Sequence, residues 1–359
     1  MKTEVIAPEA LSQAVADGVL ISGQNFSGAN LEGANLAGGI FENVSFENAQ
    51  LGGASFKESI LTKCDLSGAN LQGANLHHIA LNECMARGTN FAGANLVSST
   101  MNKVDLNSAN FSQSDMSIAS IIEADMSGAR LCKTNLDRTN LLQVVADSID
   151  FSHSTLKQTV LLESDLRTAI FEETEFAMTV LIKCNLAGLS LRKRSFVLTQ
   201  FMDADLSGCD FSEADLTQCN FKGANLAGAK LDKSKATQAL FVETNLTGAS
   251  LTRANLQQSQ FVDAALLGAN FSGAQLQQCN FTRAAAAKAC FMRTDLTYAD
   301  FSHADLAEAN LTGARLFRAN LHQVRDQGAV MTRRKEALGG DAELARAENF
   351  KATKPKART

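Results

Sequence analysis

GANLEGANLAG (residues 28–38) and CDLSGANLQGANL (residues 64–76) decide how this chain reads. Both advance in fives: a small residue, Asn or Asp, then Leu or Phe, then two polar or glycine positions. Counted outward from Phe26, the large position recurs without insertion or slip as far as Leu321, giving 60 centres. Leu or Phe fills 52 of them, and Met101, Met116, Ile121 and Met126 fill four more. Only Ala86, Ala146, Ala236 and Ala286 are small, and at each the wall is expected to pinch inward or a neighbour such as Met85 or Val145 to swing in. Two residues before the centre stands Ala, Ser, Thr or Cys in nearly every repeat.

A period of five matches neither the helical 3.6 nor a long alternating strand. Two inward positions separated by one outward position make a very short strand, and the other two residues must turn the chain. Such a unit cannot bury its apolar side alone, so it winds into a coil whose turns stack and pair through their backbones. Pro8 and Pro355, the two prolines, fall outside the repeats, as backbone pairing requires. A second period sets the number of sides. Phe201, Phe221, Phe241, Phe261, Phe281 and Phe301 are centres at unbroken steps of 20, so four repeats make a coil and these rings form a core stack.

The A-(N/D)-(L/F)-x-x pattern resembles the pentapeptide-repeat family over residues 24–323. The resemblance implies an all-β solenoid, a right-handed quadrilateral parallel β-helix, here of about 15 coils. Short helical segments are expected at both ends. Residues 1–23 read as a capping helix, Pro8 to Asp17, and its lead-in. Residues 24–323 are the β-helix. Residues 324–359 read as a helix over Met331–Leu338, a second one capped by Asp341, and a basic disordered tail.

Composition excludes several classes. The chain has no Trp, one Tyr, 21 Phe and a net charge of -5, so it is neither a polyanion nor a basic nucleic-acid binder. Long apolar runs are missing, which argues against a membrane helix. Glu4 and Glu9 interrupt the start of the chain, so a secretory signal is not expected and a cytoplasmic setting is. Six of the eight cysteines (Cys64, Cys84, Cys184, Cys209, Cys219, Cys279) take the small inward slot, where a thiol acts as a small hydrophobe. They are expected to be free, although Cys64 and Cys84, one coil apart, stand within disulfide reach. His77 and His78 read as a solvated pair, and the scattered cysteines do not make a zinc pattern. Nucleophile-elbow, Walker and dinucleotide fingerprints are missing too. The expectation is no catalytic residue, no metal, no cofactor, no small-molecule substrate and no enzymatic activity.

The outward positions carry the information. Faces are labelled A to D by their first centres, Phe26, Leu31, Leu36 and Phe41. Large apolar residues follow the centre 12 times, and seven of these fall on face D: Ile122, Leu142, Leu162, Ile182, Met202, Val242 and Val262. Before the centre, face D also holds Ile40, Ile60, Val160, Val180 and Leu240. A contiguous apolar strip of this kind marks an interaction surface. Ile122, Leu142, Val160, Leu162, Val180, Ile182, Met202, Leu240, Val242 and Val262 are therefore the candidate protein-binding face. Face A instead carries Asp65, Asp105, Asp125, Asp147, Asp165 and Asp205.

The expected function is a non-enzymatic scaffold or adaptor that meets a partner protein, or a second copy, through face D. Its ends, PEALSQAVADG before the repeats and LFRANLHQVRDQG after them, resemble accessory repeat proteins of bacterial type VI secretion. An alternative comes from the family resemblance, which implies DNA mimicry and binding to a type II topoisomerase (gyrase). The unbroken repeat and the apolar strip count against it.

Overall fold

At every corner of the repeats but the one at Thr168, the second residue after the centre adopts left-handed backbone, with φ of 67° at Gly28, 55° at Asn48 and 60° at Glu58. Glycine reaches this region without a Cβ penalty, hence its place in the undiluted repeats. The tight corners close when the third residue's N–H donates to the centre's carbonyl, as from Ala29 to Phe26 at 3.0 Å. The Asn or Asp before the centre then has a physical reason. Its Oδ1 accepts the N–H of the residue after the centre: Asn25 from Ser27 at 2.8 Å, Asp65 from Ser67 at 2.9 Å, Asp295 from Thr297 at 3.0 Å.

The structure is a computed structural model and describes residues 6–349. The basic tail expected beyond Phe350 lies outside the described residues. About 16 turns of parallel β-solenoid are formed. The chain divides into two compact units, Met1–Leu189 with Arg194–Leu206 and Ser190–Lys193 with Ser207–Thr359.

In the first unit, helix α1 (Pro8–Ala16) begins on proline and buries Leu11 and Val15. Nine short strands follow on face D: β1 (Ile21–Ser22), β2 (Ile40–Glu42), β3 (Ile60–Thr62), β4 (Ala80–Asn82), β5 (Thr100–Asn102), β6 (Ser120–Ile122), β7 (Asn140–Leu142), β8 (Val160–Leu162) and β9 (Val180–Ile182). They form one parallel sheet in sequence order, each strand paired with the next 20 residues on, Ile60 with Ala80 for example. The other three sides pair through single bridges at the same interval, as Asn25 with Ser45, Asn30 with Gln50 and Asn35 with Ser55. Face D differs because its strands run through the residue after the centre, which belongs to the turn on the other sides.

In the second unit the single bridges run on all four sides, as Asn225 with Asn245, Lys230 with Ser250, Lys235 with Asn255 and Leu240 with Gln260. Face D here has tight corners, Ala224 donating to Phe221 at 2.9 Å. The expected stack is present: Phe221, Phe241, Phe261, Phe281 and Phe301 lie with successive centroids 4.9, 4.9, 4.7 and 4.6 Å apart and planes within 6°. Phe201, in the first unit, is fully buried.

Serine and threonine in the small inward slot donate to the centre's carbonyl one coil below, as Thr89 to Leu66 and Thr139 to Met116, both at 2.7 Å. All eight cysteines are free thiols. Two expectations need correction. Pinching at the alanine centres is not found at Ala86, Ala236 or Ala286, whose N–H groups bond the next coil at 2.8, 2.7 and 2.8 Å, and neither Met85 nor Val145 swings in, since both are exposed. Each alanine centre is followed by a phenylalanine centre (Phe91, Phe151, Phe241, Phe291), fully buried in the same coil. Only at Ala146 is the pattern interrupted: the Asp125–Val145 bridge is not continued to Asp165. The second correction is at the end of the repeats. Residues 331–338 are not a helix; the coil runs on through β11 (Val330–Met331), paired with β10 (Asn310–Leu311), and a short 3-10 turn at Arg334–Glu336. Backbone pairing needs no Leu or Phe centre, so it outlasts the sequence pattern. Helix α2 (Ala342–Glu348) follows, with Asp341 accepting the Glu343 and Leu344 N–H groups as expected.

Candidate interaction face

Strands β6 to β9 place Ile122, Leu142, Leu162 and Ile182 in one in-register file. Neighbours along it stand about 4.8 Å apart. Val160 pairs with Val180 beside them. All six are half-buried. Met202 extends the file in the same unit, its carbonyl accepting the Lys183 N–H at 3.0 Å. Leu240, Val242 and Val262 lie on face D of the second unit, where Leu240 is exposed and the two valines half-buried.

The corner toward face A supplies a polar rim. Gln143 Nε2 and Lys183 Nζ both reach Glu163, at 3.1 and 3.2 Å, and together they hold its carboxyl below the usual carboxylate range. Lys103 pairs with Glu123 at 3.6 Å. Beside this rim the interruption at Ala146 opens a cleft of about 480 Å³, lined by Gln143, Val145, Asp147, Glu163 and Asp165 among others. Val145 stands 52% exposed at its edge.

The corner toward face C carries three apolar residues that the flanking-position count passed over: Ile118, Met178 and Leu198. They occupy the left-handed position, with φ of 62°, 55° and 63°. A β-branched residue there is an outlier, and Ile118 is 47% exposed, so burial does not offset the strain. The signal was present in the sequence as apolar residues at a slot that elsewhere takes Gly or polar groups.

On face A the acids are partly neutralised: Arg87 pairs with Asp105 at 3.1 Å and Arg167 with Asp165 at 2.6 Å. His77 and His78 pack edge-to-face at 4.2 Å. The one group among the described residues with the makings of a metal site is elsewhere: His303, His322 and Glu348. Period 20 brings the two histidines to adjacent coils, but Glu348 comes from outside the repeat, and the sequence offered no sign of it. Among the described residues, no helix is long and apolar enough to cross a membrane.

Short strands, left-handed corners and four paired sides define a repeat solenoid that offers flat faces to its surroundings. Family models for the pentapeptide repeat region match residues 34–111 and 214–291, and one for pentapeptide repeats (8 copies) matches residues 294–332. The chain belongs to the pentapeptide-repeat family. Among solved structures it is similar to HetL, a pentapeptide repeat protein involved in heterocyst differentiation regulation from the cyanobacterium Nostoc sp., at 23% identity over 92% of this chain and 98% of that one, with a TM-score of 0.27. QnrB1, a plasmid-mediated fluoroquinolone resistance protein, is 19% identical over 53% of this chain and 97% of its own, with a TM-score of 0.25. A pentapeptide repeat protein of the Arabidopsis thaliana thylakoid lumen is 31% identical over 34% of this chain and 71% of its own, with a TM-score of 0.23. No curated protein matches the chain.

Proposed function

We propose that this protein is a non-enzymatic, cytoplasmic binding scaffold whose contact surface is face D of the first unit, from Ile122 to Met202. The observation that carries this reading is the concentration of apolar side chains on one side, joined at the corner by Ile118, Met178 and Leu198 in backbone that apolar residues avoid. The core does not use these side chains, because the centres Ile121, Leu141, Leu161 and Leu181 already fill it. An apolar strip with the acidic and amide rim of Glu123, Gln143 and Glu163 has the layout of a protein interface. Burial at roughly 25 cal/mol per Å² contributes several kcal/mol before association costs. A partner protein is the occupant proposed; a loading adaptor of a secretion spike is the specific form that the resemblance of the chain ends suggests. The topoisomerase alternative is the weaker one, because the acids of face A are partly paired within the chain.

The test is Leu142→Lys with Leu162→Lys. Both sites are half-buried and outward, so the thermal melt is expected within a few degrees of wild type, while pull-down from the native host loses its specific partner. Light scattering on both proteins shows whether the lost contact was with a second copy instead. A double variant that melts normally and keeps every partner and every self-association removes face D from consideration.

A further inference from the structure

We propose that His303, His322 and Glu348 bind a divalent transition-metal ion, which clamps α2 onto the last coils of the second unit. The starting point is that α2 has seven residues and none of them is buried. A helix this short is marginal in water and gains nothing from an apolar face here. Its ties to the coils are polar, and most of them run through Glu348. Glu348 Oε1 lies 3.3 Å from His303 Nε2, and Glu348 Oε2 lies 3.2 Å from His322 Nε2. Gln323 Nε2 donates to Oε2 at 2.8 Å and fixes the carboxylate's orientation.

Two imidazole nitrogens therefore converge on one carboxylate, and the three ligand atoms lie within 4.8 Å of one another. In a tetrahedral site with ligands at about 2.0–2.1 Å from the ion, neighbouring ligand atoms stand roughly 3.3 Å apart. Each imidazole already stands at about that length from Glu348, but from a different oxygen. With a single oxygen bound, one imidazole–carboxylate edge and the edge between the histidines, both within 4.8 Å, have to shorten. The donor set decides the class of ion. Two neutral imidazoles and one carboxylate suit zinc, cobalt, nickel or copper, whereas calcium and magnesium prefer oxygen alone. His322 is nearly buried, while His303 and Glu348 are each about one-third exposed, which leaves the fourth position open to water or to a group from outside.

The hydrogens must balance. His322 Nδ1 accepts the Asp341 N–H at 3.0 Å. Without a metal, the neutral ring thus carries its hydrogen on Nε2 and donates it to Glu348. The ion takes that place. The ring then keeps its hydrogen on Nδ1, so the Asp341 N–H must turn away. Gly339 and Gly340, with open space where a Cβ would stand, give the backbone freedom for that shift.

The experiment uses cobalt(II) with the full chain, because its spectrum separates nitrogen–oxygen ligands from thiolates. The expected result is one equivalent bound with tetrahedral visible bands, no sulfur charge-transfer band, and a rise in melting temperature that a chelator reverses. His303→Ala and Glu348→Gln, both outside the core, are each expected to weaken binding roughly tenfold or more, the size seen even for outer-shell partners. His77→Ala with His78→Ala is expected to change nothing. Binding that survives Glu348→Gln, bands of a six-coordinate or thiolate complex, or no stoichiometric binding at all would overturn the proposal and leave a hydrogen-bonded clasp.

Discussion

Phe261 gives the sharpest test of the packing. Its ring is fully buried and lies parallel to Phe241 at 4.9 Å and to Phe281 at 4.7 Å, with an edge contact to Phe271 at 5.7 Å. Phe261→Ala empties a closed stack, and about 3–5 kcal/mol is expected, toward the upper end because the coils above and below hold the cavity open. Phe261→Leu keeps most of the apolar volume and isolates the ring contacts. Two parallel pairs and one edge-to-face pair at about 0.5–1.5 kcal/mol each predict a loss of roughly 1.5–4.5 kcal/mol. Phe301, stacked in parallel only on Phe281 and edge-on to Phe291, is the control, and Phe301→Leu is expected to lose about two-thirds as much. Urea unfolding measures these differences. Repeat arrays can unfold in parts, so circular dichroism of the whole chain is read beside the fluorescence of Tyr298. The chain has no Trp and no other Tyr, so that signal comes from the second unit alone. Equal losses for Phe261→Leu and Phe301→Leu, or a Phe261→Ala variant losing less than about 1 kcal/mol, would refute the stacking argument.

Other outcomes follow from the same register. Leu166→Ala, at a fully buried centre, is expected to cost about 2–5 kcal/mol, while Thr247→Ala, pointing outward, stays within about 0.5 kcal/mol in the same urea series. Ile118→Gly removes an apolar residue from left-handed backbone; it is expected to raise stability by up to about 1 kcal/mol and to weaken capture of the face-D partner in the same pull-down. Burial pushes the Cys184 thiol up to about 11 and Cys279 up to about 12. Both stay protonated in the fold where unfolded thiols, near about 8.5, already ionise. Stability is therefore expected to fall as pH rises from about 9 toward 12, measured as melting temperature against pH, and to fall less in a Cys184→Ala, Cys279→Ala variant. If the rival reading were right, micromolar protein would change topoisomerase supercoiling activity, and high salt would abolish the effect; no change is expected.

Five-residue spacing made the coil, its four sides and its inward residues legible, because burial in a closed stack tolerates so few side chains. Phe201 through Phe301 showed the period of 20 for the same reason. Less legible were features that depend on single exceptions. Leu189 and Arg194 stand in inward slots made for small residues, near the junction of the two units. Burial lowers the Arg194 guanidinium's pKa. A chain-wide rule hides such departures. Residues 324–349 were harder again, since a strand paired only through its backbone leaves no side-chain pattern. Of the candidate face, the file from Ile122 to Ile182 could be read from the flanks of the centres, but Ile118, Met178 and Leu198 required knowing which way the corner residue points.

The corners have one more consequence, for how such a chain changes length. Because every repeat is five residues long, five can be lost or gained while every Leu and Phe still points inward. All sides downstream, however, then turn by a quarter. A five-residue deletion before Ile122 would leave a folded protein whose apolar file no longer continued the sheet upstream, and one after it would split the file. Twenty residues, by contrast, can be duplicated or removed with every face still aligned. Surviving changes of length in this molecule should therefore come in whole coils wherever a surface has work to do, and in fives only where none does.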